Sequence, residues 1–386
     1  MEHLLNKRVQ EIQISGIRKF SNKVAQYPDA ISLTIGQPDF PTPEHIKEAG
    51  KQAIDDNKTT YTQNAGLIQL RKAACQFLEH QYGLSYDPET EVITTNGASE
   101  AIDIAFRTIL EEGSEVILPG PIYPGYEPLI KLCGAVPVYV DTRKSDFKVS
   151  AEMIAKHLTE KTRCIILPYP SNPTGVVLDQ ESIQEIAALL QDKKIFVLSD
   201  EIYSELLYSG QHQSIAAIPG LREKTIVING LSKSHSMTGW RIGFTFAPAY
   251  ITQQMLKVHQ YNVTCASTIS QYAAVEALTN GIHDADAMKG DYKVRREYVY
   301  ERLVAMKLDV VKPEGAFYIF PSIEKYGLDS FDFATQLLEK ERLAVVPGSA
   351  FSEYGEGFVR LSYAYSMEVL KEGLDRFERF IRSIEG

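Results

Sequence analysis

The chain has 386 residues, 44% of them apolar and 23% charged, which is ordinary globular composition and long enough for two lobes rather than one core. Forty Lys+Arg against fifty Asp+Glu give a formal charge of −10, spread along the chain, which argues against a nucleic-acid or anionic-membrane surface. No stretch reaches the ~18 consecutive apolar residues of a membrane span.

The N-terminus, "MEHLLNKRVQEIQ", is charged throughout and lacks an apolar core of signal-peptide length, so a cytoplasmic protein is expected. Cys75, Cys133, Cys164 and Cys265 are scattered without metal or dithiol spacing, and reduced, buried thiols are expected of them. Residues 1–40 show no series of strands and end in the turn-rich "LTIGQPDFPTP". They are expected to pack on a smaller C-terminal domain, residues 285–386, across a cleft from a large domain of residues 41–284.

From about residue 90 short apolar runs alternate with helical patterns. The runs are "EVITT" (91–95), "EVILP" (115–119), "VPVYV" (136–140), "CIILP" (164–168), "IFVLS" (195–199), "TIVIN" (225–229) and "RIGFTFA" (241–247). Stretches such as "SEAIDIAFRTILEEG" and "ESIQEIAALLQDKK" separate several of them. The pattern predicts an α/β fold with a mostly parallel, seven-stranded sheet covered on both faces. The last two runs are too close for a helical crossover, so one strand is expected to be antiparallel. The C-terminal part reads as α+β: helical "GDYKVRREYVYERLVAM", strand-like "GAFYIFP" and "GFVRLSYA", then the helix "SMEVLKEGLDRFERFIRSI".

Ligands of open α/β sheets bind beyond the carboxyl ends of the strands, so the polar residues there are the candidates. After the first run come Asn96, Gly97, Ala98 and Ser99, then a helix: a phosphate cradle, or an ordinary glycine turn with a serine cap. Tyr123, in "GPIYPGY", offers a ring face to a planar ligand, or is a core aromatic. Asn172, between two prolines in "YPSNPTG", has an amide with little to bind locally. Asp200 ends an apolar strand, with Tyr203 one turn later; the alternative is a helix-capping aspartate. Lys233 and Arg241, in "GLSKSHSMTGWRIG", are two cations with no acidic residue between Thr225 and Ala247. Each of these groups is expected at a strand's C-terminal edge. Clustered His or Cys ligands, a Walker loop and a G-x-G-x-x-G fingerprint are all missing, and no metal is expected.

One cofactor uses the whole set: pyridoxal 5′-phosphate, whose aldehyde takes a lysine, whose ring nitrogen takes a carboxylate, and whose phosphate takes a helix N-terminus and an arginine. From "ISLTIGQPDFPTP" through "YTQNAGLIQLR", "YPSNPTG", "SDEIY" and "GLSKSHSMTGWRIG" to "GFVRLSYA", the chain resembles the class I/II aminotransferases, fold type I pyridoxal-phosphate enzymes. The resemblance implies that Lys233 carries the cofactor as a Schiff base and then moves the proton. It implies that Asp200 pairs with the pyridinium nitrogen, that Asn172 and Tyr203 hydrogen-bond the phenolate oxygen, and that Tyr123 stacks on the ring. Gly97, Ala98, Ser99, Ser232 and Arg241 then hold the phosphate, and Tyr61 reaches the phosphate of the other subunit, so a homodimer is implied. Arg360, with Gly36 and Asn172, receives the substrate, the arginine as a fork on its α-carboxylate.

The implied reaction moves an amino group between an L-amino acid and a 2-oxo acid, with glutamate/2-oxoglutarate as one pair. The pattern, including "SGIRKF", is most similar to bacterial aromatic and acyl-diaminopimelate aminotransferases, the latter favoured and acting in lysine biosynthesis. Gly230 stands where some members carry a hydroxyl. Ser99 stands where a related aspartate-specific subgroup carries a lysine, which speaks against simple aspartate specificity. Aromatic or aspartate aminotransferase and carbon–sulfur β-lyase are the alternatives within the scaffold. A ligand-sensing regulator would need an added basic helix-turn-helix segment, for which the first 40 residues are too short and too mixed in charge.

Overall fold

The structure, a computed structural model, describes residues 1–385. Among them the strands are β1 (Ile31–Ser32), β2 (Val92–Thr95), β3 (Glu115–Gly120), β4 (Val136–Asp141), β5 (Thr162–Leu167), β6 (Phe196–Asp200), β7 (Thr225–Gly230), β8 (Gly243–Phe246), β9 (Tyr318–Ile319), β10 (Leu343–Ala344), β11 (Val346–Pro347) and β12 (Val359–Ser362). Seven of them form one sheet in the order β2-β8-β7-β6-β5-β3-β4. The expected antiparallel strand is β8, which runs against both β7 and β2. The other pairings are parallel.

Side chains that alternate along each strand explain why the runs are apolar throughout. Leu118, Ile166 and Leu198 face a core built with Ile102 and Phe106 of helix Ala98–Ile109 and Met255 of helix Ala249–Val263. Their neighbours Ile117, Ile165 and Val197 face the opposite core, with Ile154 and Ile186 of helices Ala151–His157 and Gln180–Leu190. With both faces covered, neither tolerates polar residues. Each such side chain, fully buried, contributes roughly 2 kcal/mol.

Another core joins helices Asp284–Ala305, Ser330–Glu341 and Met367–Glu385 to β9 and β12. The last helix buries Leu370, Leu374, Phe377 and Ile381, one stripe at helical spacing. Phe20 and Leu33 of the N-terminal segment belong to the same core. That segment departs from the sequence expectation in one respect: Ile31 and Ser32 do form a strand, parallel to Leu343 and Ala344. Two residues whose partners lie more than three hundred positions away leave no local signal. The four cysteines are free, but Cys133 and Cys265 are only half-buried, unlike Cys75 and Cys164.

Candidate active site

A cleft of about 370 Å³ opens along one edge of the large sheet, lined by Gly36, Ala98, Ser99, Tyr123, Asn172, Asp200, Tyr203, Ser232, Lys233, Arg241 and Arg360. Strands β2, β3, β5, β6 and β7 all end there, so the segments that follow them converge. Arg241 corrects the expectation that every group sits at a carboxyl end. It precedes β8, and because β8 is antiparallel its amino end lies on the same edge.

Gly97 is not among the lining residues, but it shapes the cradle. It caps helix Ala98–Ile109 with φ +77°, and a Cβ there would lie 2.3 Å from Nη2 of Arg241. Only glycine lets that guanidinium rest on the turn. Ser99 is therefore inside the first helical turn, not its cap. The N–H groups of Ala98 and Ser99, in the first helical turn, have no intrahelical acceptor, and both residues line the cleft. Glu100 reaches back to the Asn96 N–H at 2.6 Å and is held from behind by His259 Nδ1 at 2.7 Å, which fixes the turn.

The three cations of the cleft have neutral partners. Lys233 Nζ donates to the Gly36 carbonyl at 2.6 Å. Arg241 donates to the carbonyls of Thr238 (3.0 Å) and Asn96 (3.3 Å). Arg360, only 2% exposed, donates to Asn172 Oδ1 at 2.9 Å and to the Thr34 carbonyl at 2.7 Å, while its buried Nε has no partner among the described residues. Neutral acceptors leave the charge of this buried guanidinium unbalanced, which suits an anion. Burial pulls the pKa of Arg360 down from its usual value. Burial, then the like charges of Arg360 and Arg241, bring Lys233 down to about 8, with Asp200 opposing.

Asp200, at the end of β6, is 7% exposed. Burial pushes its carboxyl up to about 6, against hydrogen bonds from the Tyr126 hydroxyl (2.6 Å) and the Ile202 N–H (3.2 Å). No helix begins after it; residues 202–205 form turns, so the capping alternative for Asp200 falls. The Tyr203 hydroxyl lies 2.8 Å from that of Tyr318. Asn172 finds its partner far from its own turn, as its sequence context suggested: Arg360 holds its carbonyl end. Tyr123 lines the cleft and meets Tyr126 edge-on at 5.6 Å. Tyr61 does not reach this chain's cleft: it is 83% exposed.

Sequence reasoning missed Tyr126, Tyr318, Thr34 and Thr238, all of which line the cleft. Tyr126 follows Tyr123 by three positions in "GPIYPGY", and a second aromatic so near the first is the signal that was there to read. Tyr318 sits in a strand of two residues and had none.

The family model of class I and II aminotransferases matches residues 28–377. The chain belongs to that family. A Bacillus subtilis (strain 168) protein described as a probable N-acetyl-LL-diaminopimelate aminotransferase is 64% identical over 381 residues, 99% of this chain and 96% of that protein. Among solved structures, the aromatic aminotransferase of Pyrococcus horikoshii OT3 superposes with a TM-score of 0.90 at 42% identity, covering 95% of this aminotransferase and 99% of the other chain. The aspartate aminotransferase of Thermus thermophilus with maleate gives 0.93 at 36% identity, covering 97% and 99%. The fold is that of these enzymes, and the activity class is amino-group transfer.

Proposed function

We propose that this aminotransferase works with pyridoxal 5′-phosphate in the cleft, as a cytoplasmic homodimer, with glutamate/2-oxoglutarate as one substrate pair. As the other we propose an N-acylated 2-amino-6-oxo dicarboxylate of the acyl-diaminopimelate type. The observation that carries the reading is Arg360: a buried fork with neutral partners, one cleft wall away from a lysine whose pKa is lowered to about 8. The 64% full-length likeness to the Bacillus subtilis protein supports the acyl substrate.

The residues fit the cofactor. A turn that a Cβ would block, two unpaired N–H groups and Arg241 suit the phosphate, joined by Ser232, which is buried in the cleft wall. Asp200, kept from pairing with any cation, suits a pyridinium nitrogen. Tyr203 and the free amino group of Asn172 suit a phenolate oxygen, and the Tyr123 ring suits a planar face. When bound, pyridoxal 5′-phosphate supplies an aldehyde that condenses with amines and a ring that withdraws electrons from the amino acid's Cα. Arg360 fixes the α-carboxylate and thereby the direction in which the Cα–H points. Lys233, neutral in an appreciable fraction near pH 8, is the base that moves that proton. The Gly36 carbonyl orients its amine.

Among the described residues, only Lys233, Arg241 and Arg360 bring positive charge to the lining of one protomer. With two engaged by the cofactor, Arg360 remains for the α-carboxylate, and the distal carboxylate of a dicarboxylic substrate meets neutral groups or the other subunit. Tyr61 and Tyr261, 83% and 87% exposed, support a second copy, since Asn64 and Thr268 tie the loop that carries Tyr61 to the turn after helix Ala249–Val263, which carries Tyr261. For the domain boundaries, the shared core of Phe20 and Leu33 with the C-terminal helices supports residues 1–40 joining a small domain of 285–386, beside a large domain of 41–284.

The test is a half-reaction screen, in which purified holoenzyme is mixed with single amino acids and the bound-cofactor absorbance is followed. The acyl-diaminopimelate should react at least about tenfold faster than aspartate or phenylalanine, a difference of about 1.4 kcal/mol. Faster reaction of either of those overturns the substrate assignment. Pyruvate and ammonia from cystathionine without a 2-oxo acid would mean a β-lyase. Borohydride should fix the cofactor to Lys233 and to no other lysine.

A further inference from the structure

Tyr318 is buried to 1% exposure, yet it touches three parts of the site. It lies opposite Ser362 in the antiparallel pairing of β9 with β12, which makes Arg360 its diagonal neighbour on the same face. The Arg360 guanidinium carbon sits 4.3 Å from the centre of its ring. Its hydroxyl meets that of Tyr203 at 2.8 Å and has no other hydrogen bond among the described residues. Gly36 closes over the same hydroxyl, where a Cβ would come within 2.8 Å, and the Gly36 carbonyl holds Lys233.

Two hydroxyls at 2.8 Å share one proton between them and leave one to spend. The Arg360 guanidinium accepts nothing, and Lys233, whose amine is held by the Gly36 carbonyl, stands 5.8 Å from the centre of the Tyr203 ring. Asp200 is occupied by Tyr126 and the Ile202 N–H. An acceptor-only phenolate in the cleft would take the spare proton from Tyr203, the hydroxyl whose partner list is otherwise exhausted. Tyr318 must then be the donor of the pair, and a phenol that accepts one hydrogen bond donates the next more strongly.

We propose that Tyr318 is a positioning residue of the transamination site, whose ring forms the floor under the α-carboxylate arginine and whose hydroxyl directs the Tyr203 proton at the cofactor. The inference rests on the reading that Tyr203 faces the phenolate oxygen. It makes one side chain the physical link between the substrate anchor and the group that sets the cofactor's protonation.

The experiment is a spectroscopic pH titration of the bound cofactor in the holoenzyme, with binding of an unreactive dicarboxylate such as maleate as the second readout. A hydrogen-bond donor to the phenolate stabilises the deprotonated cofactor, so losing donor strength raises the titration midpoint. Tyr318→Phe keeps the ring and should raise the midpoint by roughly half a unit to one unit, with maleate affinity within about threefold of wild type. Tyr318→Leu removes the ring as well and should weaken maleate roughly tenfold. Tyr203→Phe should raise the midpoint further, and adding Tyr318→Phe to it should change nothing more, because the relay then has no end. A Tyr203→Phe midpoint equal to wild type would refute the placement of Tyr203 itself. A shift in Tyr203→Phe with none in Tyr318→Phe would overturn the role of Tyr318. So would full additivity in the double variant. Thermal midpoints measured alongside separate a merely structural tyrosine, which would lower stability and leave the titration in place.

Discussion

Replacing Asp200 by asparagine in cofactor-free protein should stabilise the fold at neutral pH, and the gain should fade on acidification. Burial raises this carboxyl from an ordinary 3.8 to about 6. A folded pKa above the unfolded one means that the proton favours the native state. The contribution is full below about 3.8 and lost as pH rises through about 6. The shift of about two units corresponds to roughly 3 kcal/mol, of which roughly 2 kcal/mol falls between about pH 4.5 and about pH 8. Asparagine keeps an acceptor for the Tyr126 hydroxyl, so packing and that hydrogen bond survive the change. Urea unfolding of both proteins at fixed concentration across that pH range measures the difference. With cofactor the order should reverse, because a pyridinium opposite Asp200 offsets the buried charge, and the variant should bind cofactor more weakly. A wild-type-to-variant gap independent of pH in the cofactor-free protein would refute the reasoning.

Arg360→Leu should leave cofactor affinity nearly unchanged and slow reaction with every amino acid by about 3 kcal/mol in kcat/KM, while Arg360→Lys recovers only part because it lacks the fork. Gly97→Ala places a methyl against Arg241 on a turn at φ +77°, so cofactor affinity should fall at least about tenfold, read by equilibrium dialysis. His45 bridges Glu276 at 2.8 Å and Asp284 at 3.0 Å, joining helix Glu44–Asp55 to helix Thr268–Thr279 and to the start of helix Asp284–Ala305. Burial alone would lower its pKa, but the two carboxylates outweigh burial and raise it above 6.5. The stability it adds over His45→Gln should therefore be full below about pH 6.5 and vanish as pH rises through the raised value, amounting to at most about 1 kcal/mol because the ring is partly exposed. Mixed chains carrying Tyr61→Phe and Lys233→Ala should regain activity above either parent if Tyr61 serves the other subunit, and should not if it serves its own.

The sheet strands were legible because strands covered on both faces must be apolar along their whole length, and the polar residue that ends each run then stands out. Lys233 and Arg241 were readable for the same reason: charges beside buried strands, with no acid nearby, demand an outside anion. Tertiary structure alone decided the rest. The antiparallel course of β8 carries Arg241 to the shared edge, and local sequence does not encode strand order. Arg360 finds Asn172 from 188 residues away and the Thr34 carbonyl from 326. Tyr318 acquires its place from a two-residue strand whose neighbours in sequence look like any other core. Hydrophobic periodicity reports only whether a side chain is buried. Which buried polar groups meet is settled by the packing of distant segments, where every hydroxyl and guanidinium taken from water must find a partner.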